Sequence, residues 1–308
     1  MLSDPGRVRH VNQDACAALS EHAAFVVCDG VGGAAGGEVA SHLAVQTFLN
    51  ALSLPEAPRT TKFAGSDSNS AFNSENPHHP HTRLGEAVRA ANRAVFERAQ
   101  KSRSLRGMAT TLVAALLDPA AASPDQSDAL PNGTTPDQAA GKCPTLWLAH
   151  VGDSRCYRLR RHGDDTTLTL LTCDHSLVEE QVRAGLLSRL QAETSPVRNV
   201  ITRAVGSVDA VEPEIAAHPL QPGDLYLLAS DGLTRELDDD TIARILDKSL
   251  AAHAGPASPA TPDAATHALG KSPQPSAATL GTAARALVDA ANAHGGRDNI
   301  TVLLIACR

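Results

Sequence analysis

Several common signatures are missing from this 308-residue sequence. Its six cysteines form no Cys-x-x-Cys pair, which excludes the usual spacing of a zinc or redox site. There is no dense tract of lysine and arginine, and the formal net charge of −7 argues against a nucleic-acid-binding protein. No apolar run approaches the length of a membrane span. We therefore expect neither a nucleic-acid-binding nor a membrane protein.

Motifs for nucleophilic catalysis and nucleotide binding are missing as well. The sequence has no Gly-x-Ser-x-Gly, no Gly-Lys-Ser/Thr phosphate loop and no cysteine in an anion-binding loop. The opening segment 1–5 does not look like a signal peptide, and cysteines inside apolar segments are typical of reduced core thiols. We therefore expect a cytoplasmic protein.

Three apolar segments carry an aspartate at one end. The apolar run 24–28 is too short for a helix and leads into Asp29 and several glycines. Residues 225–229 repeat this pattern shortly before Asp231, whereas Asp298 precedes the last apolar run. If the last strand is antiparallel to the other two, the three carboxylates converge. Their mutual repulsion then favours a bound divalent cation.

Three segments rich in proline, serine and alanine interrupt the periodic parts of the chain. Residues 55–82, 118–144 and 251–278 are predicted to be flexible insertions in a single domain that spans 1–308. The histidines of the tract 78–81 are typical of a solvated loop. Elsewhere strands come in pairs and runs and helices in separate pairs, which favours an α+β layered fold.

Local patterns predict several elements. Residues 145–159 contain two short strands joined at Gly152 and Asp153, which predicts a β-hairpin with a carboxylate at its bend. Residues 186–210 are irregular and polar. Apolar residues at helical spacing predict helices over 38–52, 84–95, 239–250 and 280–287.

Acidic residues beside these strands and in short polar motifs suit a hard cation. All-oxygen sites favour Mg²⁺ or Mn²⁺, and His/Cys zinc spacings are absent. Such ions acidify a bridging water enough to attack phosphorus, and the guanidinium of Arg9 would bind the phosphate. The residues thus indicate metal-dependent phosphate hydrolysis. The acidic residues are Asp14, Asp29, Asp153, Asp231 and Asp298.

Eight short motifs follow one another in a characteristic order. Among them are Val-Cys-Asp-Gly-Val-Gly-Gly and Gly-Gly-Arg-Asp-Asn-Ile-Thr. They occupy 6–14, 27–33, 107–111, 151–155, 174–176, 198–206, 229–233 and 295–301. This order resembles the metal-dependent serine/threonine protein phosphatases (type 2C), most closely their bacterial single-domain branch. The resemblance spans 4–306 apart from the three insertions.

The resemblance implies a fold and an activity. The fold would be a central β-sandwich of two antiparallel sheets flanked by helices, four layers in the order α-β-β-α, with the metal site at one end. The activity would be hydrolysis of phosphoserine and phosphothreonine in proteins by a metal-bridging hydroxide, with two or three Mn²⁺ or Mg²⁺ ions per chain. We expect a monomer that acts on phosphorylated proteins in serine/threonine kinase signalling, a cognate kinase included.

The resemblance also implies roles for residues of the metal core. Asp29 would bridge two metals, and Gly30 would offer its carbonyl to the second. Asp231 and Asp298 match the remaining direct ligands of the first metal. Asp14 matches the residue that holds metal-bound waters.

Arg9 matches the phosphate-binding arginine of the family. Asp153 matches the residue that, with Asp231, forms a third metal site in bacterial members. Residues 174–194 correspond to the flap over the site. Val31 replaces a histidine that eukaryotic members have as a possible general acid, so metal-bound water would protonate the leaving group.

Other departures and polar residues are expected to leave the metal ligands unaffected. Ala34 and Ser195 replace residues that are often histidine in bacterial relatives, and the family's opening strand would be short or missing. For the remaining polar motif residues we expect positions in strands without a catalytic role (Thr110 and Thr111), bracing or internal pairing. These are Asn12, Gln13, Thr110, Thr111, Arg155, His175, Arg203 and Asn299.

Three other functions fit part of the pattern. Related sporulation-type regulators dephosphorylate small anti-anti-sigma proteins, and a pocket for one specific partner would favour that function. A catalytically silent relative would use the fold to bind a phosphoprotein or kinase, but the full set of metal-binding aspartates argues against it. A two-metal nuclease is disfavoured by the acidic charge.

Overall fold

The computed structural model describes residues 1–31, 36–53, 78–118, 144–162, 165–251 and 275–307. Most of each predicted insertion lies outside these ranges, so its flexibility stays a prediction. Among the described helices, none combines the length and hydrophobicity that a membrane span requires.

Two antiparallel sheets form the centre of the molecule. The first has the strand order β1-β11-β10-β7-β8, and the second has the order β2-β3-β5-β6-β9 with β4 paired to β3. In the described residues the strands are β1 (Leu2–Asp4), β2 (Asp14–Leu19), β3 (Ala24–Val31), β4 (Ala109–Thr110), β5 (Leu112–Asp118), β6 (Thr145–Val151), β7 (Arg155–His162), β8 (Asp165–Leu170), β9 (Glu214–Pro219), β10 (Leu225–Ala229) and β11 (Ile300–Ala306).

Helices cover both outer faces of the sheet pair. The long helices α1 and α2 pack on the second sheet, and α6 and α7 pack on the first. A separate apolar cluster, which includes Val27, Leu148 and Leu303, fills the space between the sheets. These layers confirm the predicted α-β-β-α sandwich. The described α-helices are α1 (Gly36–Ser53), α2 (Pro80–Lys101), α3 (Leu177–Arg183), α4 (Arg189–Glu193), α5 (Asp231–Thr234), α6 (Asp239–Ala251) and α7 (Ala277–His294).

The alternation of side chains along β3 determines where Asp29 points. Val26 and Cys28 pack toward the helices, whereas Val27 packs between the two sheets. Because neighbouring side chains in a strand point to opposite faces, Asp29 shares the inter-sheet face of Val27. Asp14 lies directly opposite Asp29 in the β2–β3 ladder and therefore shares that face. The two carboxylates thus meet at one end of the space between the sheets.

The predicted hairpin over 145–159 is wrong. Strand β6 pairs with β5 and β9 in the second sheet, whereas β7 pairs with β10 and β8 in the first. The physical reason is that β6 is buried on both faces: Leu148 packs between the sheets and Ala149 packs under the helices. An isolated hairpin could not bury both faces. Gly152 and Asp153 therefore connect the two sheets.

Four insertion boundaries also differ from the prediction, two of them by one residue: Asp118 ends β5 and Ala251 ends α6. Helix α2 begins at Pro80 and α7 begins at Ala277, so 80–82 and 277–278 are helical. The histidine tract is not only a solvated loop, because the rings of His79 and His81 lie edge-on to Trp147 with centroids 4.9 and 6.3 Å away. Nδ1 of His79 also accepts the His81 N–H and caps α2. Packing against the sheet thus starts this helix early.

Strand pairing identifies elements that local patterns do not reveal. The opening strand β1 is short but pairs with β11 in register Asp4↔Ile300. Strand β9 pairs with β6 although its residues are partly exposed. The segment predicted as irregular contains the five-residue helix α4, which begins with a capping box at Ser188. The helices predicted over 38–52, 84–95, 239–250 and 280–287 are confirmed.

Candidate metal and phosphate site

Two antiparallel ladders bring the carboxylates together. Strand β10 pairs with β11 in register Ala229↔Val302, so Asp231 after β10 and Asp298 before β11 lie at the same edge of the sheet. Strand β7 pairs with β10 in register Arg155↔Ala229, which brings Asp153 beside Asp231. The ends of these strands lie against the Asp14–Asp29 pair: Ser230 Oγ donates to Asp14 Oδ2 at 2.8 Å. The five aspartates therefore form one cluster.

The electrostatics of this cluster are unfavourable to negative charge. Burial, reinforced by the charges of Asp14, Asp231, Asp153 and Asp298, raises the pKa of Asp29 well above its usual range. Burial likewise raises the pKa of Asp14 and of Asp231 to about 6, and that of Asp153 to about 7. A bound cation would relieve this repulsion and hold the carboxylates ionised.

The donor set fits a hard divalent ion. Asp14 Oδ1 and Asp231 Oδ1 are buried and have no hydrogen-bond partner in the described part of the chain. Buried carboxylate oxygens without partners are costly unless a ligand satisfies them. Because the site offers carboxylate and carbonyl oxygens rather than sulfur or imidazole, the residues suit Mg²⁺ or Mn²⁺.

Two glycines allow the backbone segments of the site to approach closely. A Cβ on Gly30 would overlap the carbonyl of Gly37 at the start of α1. A Cβ on Gly232 would overlap the carbonyl of Asn299 before β11. Any larger residue would therefore push α1 away from β3 or α5 away from β11.

Thr110 and Thr111 hold Asp29 through its backbone. Thr110 Oγ1 and the Thr111 N–H each donate to the Asp29 carbonyl at 2.8 Å, and Thr111 Oγ1 accepts the Asp29 N–H at 2.9 Å. Thr110 is a strand residue of β4 as predicted, whereas Thr111 lies between β4 and β5; that neither is catalytic stays a prediction. The two threonines fix the position of the central carboxylate.

Asn299 fastens the N-terminal loop beside the cluster. Its Nδ2 donates to the carbonyls of Pro5 and Val11 at 3.0 Å each, and its Oδ1 accepts the Gln13 N–H at 2.8 Å. Asn12 Oδ1 in turn accepts the Asp14 N–H at 3.1 Å. The predicted bracing roles of Asn12, Gln13 and Asn299 are confirmed.

Two guanidinium groups reach the carboxylates. Arg9 Nη2 lies 2.9 Å from Asp298 Oδ2, and its side chain is 52% exposed, so it can also meet a ligand from solvent. Arg235, which sequence reasoning missed, contacts Asp153, Asp231 and Asp298. The signal that could have found it is its i,i+4 spacing from Asp231.

His150, His175 and Glu214 form a second group near the crossover. The two imidazole rings stack with centroids 4.8 Å apart and planes 17° apart, so their in-plane lone pairs do not converge on one ion. His175 Nδ1 instead accepts the Gly152 N–H at 3.1 Å, and His150 Nε2 donates to the Cys173 carbonyl at 2.8 Å. The predicted bracing role of His175 is confirmed.

Internal ion pairs were predicted for Arg155 and Arg203, and only the prediction for Arg155 is confirmed. Arg155 pairs internally as predicted: its Nε and Nη2 donate to the Asp174 carboxylate at 3.0 and 2.7 Å. Arg203 is exposed and forms no ion pair within the described ranges, so the expectation of internal pairing was wrong there. The five described cysteines are free thiols, as expected; Cys143 lies outside the described residues.

Similarity to known proteins extends over nearly the whole chain. The profile of the family "Protein phosphatase 2C" matches residues 7–124. The serine/threonine phosphatase Stp of Listeria monocytogenes is 30% identical over 306 residues, which cover 98% of this chain and 93% of the relative.

Solved structures show the same likeness in three dimensions. The Mycobacterium tuberculosis serine/threonine phosphatase PstP/Ppp matches with a TM-score of 0.68 and 27% identity, covering 100% of this chain and 97% of that one. The catalytic domain of PstP in complex with two manganese ions matches with a TM-score of 0.63 and 28% identity, covering 98% and 94%. Sequence and fold thus point to one family.

Proposed function

Because this chain belongs to the protein phosphatase 2C family of serine/threonine phosphatases, we propose that its aspartate cluster and Arg9 are the active site. The chain is a protein-serine/threonine phosphatase, a hydrolase of phosphate monoesters. The observation that carries the site assignment is the convergence of five aspartates, three of them buried and two partly buried, from separate strand ends at one end of the sandwich.

The ligand roles are those that the family resemblance implies, and the clustering of these aspartates supports them. Asp29 lies at the centre of the cluster, where it would bridge two ions, and the Gly30 carbonyl would bind the second. Asp231 and Asp298 would complete the first ion's ligands, and Asp14 would hold coordinated waters. When bound, Mn²⁺ or Mg²⁺ would supply Lewis acidity and a water of lowered pKa.

The protein's own residues would bind and orient the phosphate. Arg9 is exposed enough to donate to phosphate oxygens while its contact with Asp298 orients its guanidinium. The threonines behind Asp29 and the amide of Asn299 would keep the carboxylates in place as charge changes. Val31 is 41% exposed and its side chain has no ionisable group. The leaving alkoxide would therefore take its proton from water.

Substrates and location extend the proposal. Phosphorylated serine and threonine in proteins would be the substrates, with a serine/threonine kinase among them, and the chain would act as a monomer. The free thiols are in keeping with the cytoplasm. The relative PstP was crystallised with two manganese ions, which supports Mn²⁺ as a cofactor here.

The test is phosphate release from phosphoserine, phosphothreonine and phosphotyrosine peptides. We expect release from the first two with Mn²⁺ or Mg²⁺ and none after treatment with a chelator. Arg161→Gln, which removes an exposed arginine from a distant ion pair, is the control variant. Release that persists in chelator would refute the metal-dependent mechanism, and no release under any condition would favour a silent, phosphoprotein-binding relative.

A further inference from the structure

We propose that Arg235 is a built-in cation at the Asp153–Asp231 position, so that this chain holds two metal ions where Asp153 and Asp231 would otherwise hold a third. The inference rests on the proposed metal site and specifies the number of ions that this site binds. It assigns a role to a residue that neither the strand pattern nor the family motifs identify.

The guanidinium of Arg235 lies among three carboxylates. Its Nη2 is 3.6 Å from Asp153 Oδ2 and also contacts Asp231 Oδ2, while its Nη1 is 3.6 Å from Asp298 Oδ2. The side chain is 34% exposed, so it enters the cluster from the rim. A third ion would be bound by the oxygens of Asp153 and Asp231. The positive charge of Arg235 already lies beside these oxygens.

The backbone keeps Arg235 at this place. Its N–H donates to the Asp231 carbonyl at 2.8 Å, one turn back in α5. Leu233, between the two, is fully buried in the core cluster under α7. The hydrogen bond to Asp231 and the burial of Leu233 hold the backbone of this segment in place. The Cα of Arg235 therefore stays beside the carboxylates, and only its side chain can move.

Charge balance favours the arginine over a third ion. The guanidinium places a positive charge within ion-pair distance of the carboxylates of both Asp153 and Asp231. A divalent ion between these two residues would have to displace the guanidinium or remain beside it, and like charges at that distance repel strongly. Within the described ranges neither Asp29 nor Asp14 forms an ion pair, so both stay available to the first two ions.

The experiment counts bound ions. Wild type, Arg235→Gln, Arg235→Lys and the double variant Arg235→Gln/Asp153→Asn are dialysed against increasing free Mn²⁺, and bound metal is measured by elemental analysis. We expect two ions in wild type and in the lysine variant, three in Arg235→Gln and two again in the double variant. The affinity of Arg235→Gln for a third ion should exceed that of wild type by about tenfold or more.

A second readout does not depend on bound metal. In chelator, Arg235→Gln should melt below wild type because the carboxylates lose their counter-charge, whereas Arg235→Lys and the control Arg161→Gln should melt close to wild type. Three ions in wild type, or an unchanged count of two in a folded Arg235→Gln, would overturn the inference while leaving the proposed phosphatase site intact. Binding of no ion by wild type would overturn both.

Discussion

The two ends of strand β10 carry buried aspartates that behave in opposite ways. Asp224, just before the strand, is 1% exposed, and Asp231, just after it, is 8% exposed. Burial alone would raise the pKa of Asp224, but the hydrogen bonds and charge of Arg160, together with hydrogen bonds from Gln221 and Tyr226, outweigh burial and the pKa is lowered. At Asp231, burial raises the pKa to about 6 although Arg235 opposes it.

The difference lies in how completely each carboxylate is satisfied. Arg160 donates from Nε and Nη2 to the two oxygens of Asp224 at 2.6 Å each, and the Gln221 N–H and Tyr226 hydroxyl add further bonds. Asp231 keeps one buried oxygen without a partner in the described structure. One end of the strand is therefore a completed ion pair, and the other is a site that needs a ligand. Local rules of stability are broken where function requires it.

The largest expected effect is at the unsatisfied end. Asp231→Asn or Asp29→Asn should lower phosphate release from a phosphothreonine peptide by roughly 100-fold or more, because each removes an anionic ligand. In chelator the same variants should melt no lower than wild type, since a buried repulsion is removed. Turnover like that of wild type at saturating Mn²⁺ in both variants would refute the ligand assignment.

At the Asp224 end of β10, a substitution should lower stability and leave turnover unchanged. Asp224→Asn should lower the free energy of unfolding by about 3 kcal/mol, because Arg160 loses its partner in a largely buried pair. Turnover at a temperature where the variant is folded should be unchanged. Asp247→Asn breaks the exposed pair with Arg161 and should cost under about 1 kcal/mol by chemical denaturation. Equal losses in the two variants would show that burial of the pair is irrelevant.

The stabilisation by Mn²⁺ should also differ between variants of the aspartate cluster and variants of Asp224. An ion at about 100 times its dissociation constant stabilises a folded protein by about 2.7 kcal/mol, or a rise in melting temperature of about 4 °C for a chain of this size. Wild type and Asp224→Asn should both gain this increment, and Asp29→Asn should lose most of it. A melting temperature that responds to neither Mn²⁺ nor chelator would contradict the metal site.

The smallest expected effect is on the stability of the protein at acidic pH. Since the folded-state pKa of Asp224 is lowered, its contribution to stability is complete above the unfolded value, about 3.9. It is lost as the pH falls through the folded-state pKa. The difference in unfolding free energy between wild type and Asp224→Asn should therefore be constant from pH 7 to 5 and shrink below about pH 4. A difference that grows on acidification would mean that Asp224 is not ionised in the folded protein.

The sequence predicted what is local to a strand end. Asp29, Asp231 and Asp298 are adjacent to apolar runs, so the antiparallel pairing of β10 and β11 brought the last two together as predicted. The resemblance drawn from eight motifs is confirmed by the match to Stp. Both predictions rest on residues within a few positions of the feature they identify.

What the sequence left out depends on partners far along the chain. The crossover at Gly152 looks like a hairpin until the strands that cover both faces of β6 are known. Arg235 looks like a surface residue because its carboxylate partners come from two other loops. His79 packs against Trp147, which follows a segment outside the described residues. Long-range pairing of this kind has no periodic signal in the sequence.

The pairing of β1 with β11 has a consequence for how the enzyme is made. Arg9 and Asp298 meet although they are 289 positions apart in the chain. A ribosome adds roughly 5–20 residues per second, so the first residue waits about 14–58 s for the second to be synthesised. Until then no growing chain can assemble the complete site, even if the second sheet, whose strands all precede residue 220, has already formed. Translation itself thus delays the appearance of phosphatase activity until almost the last strand is made.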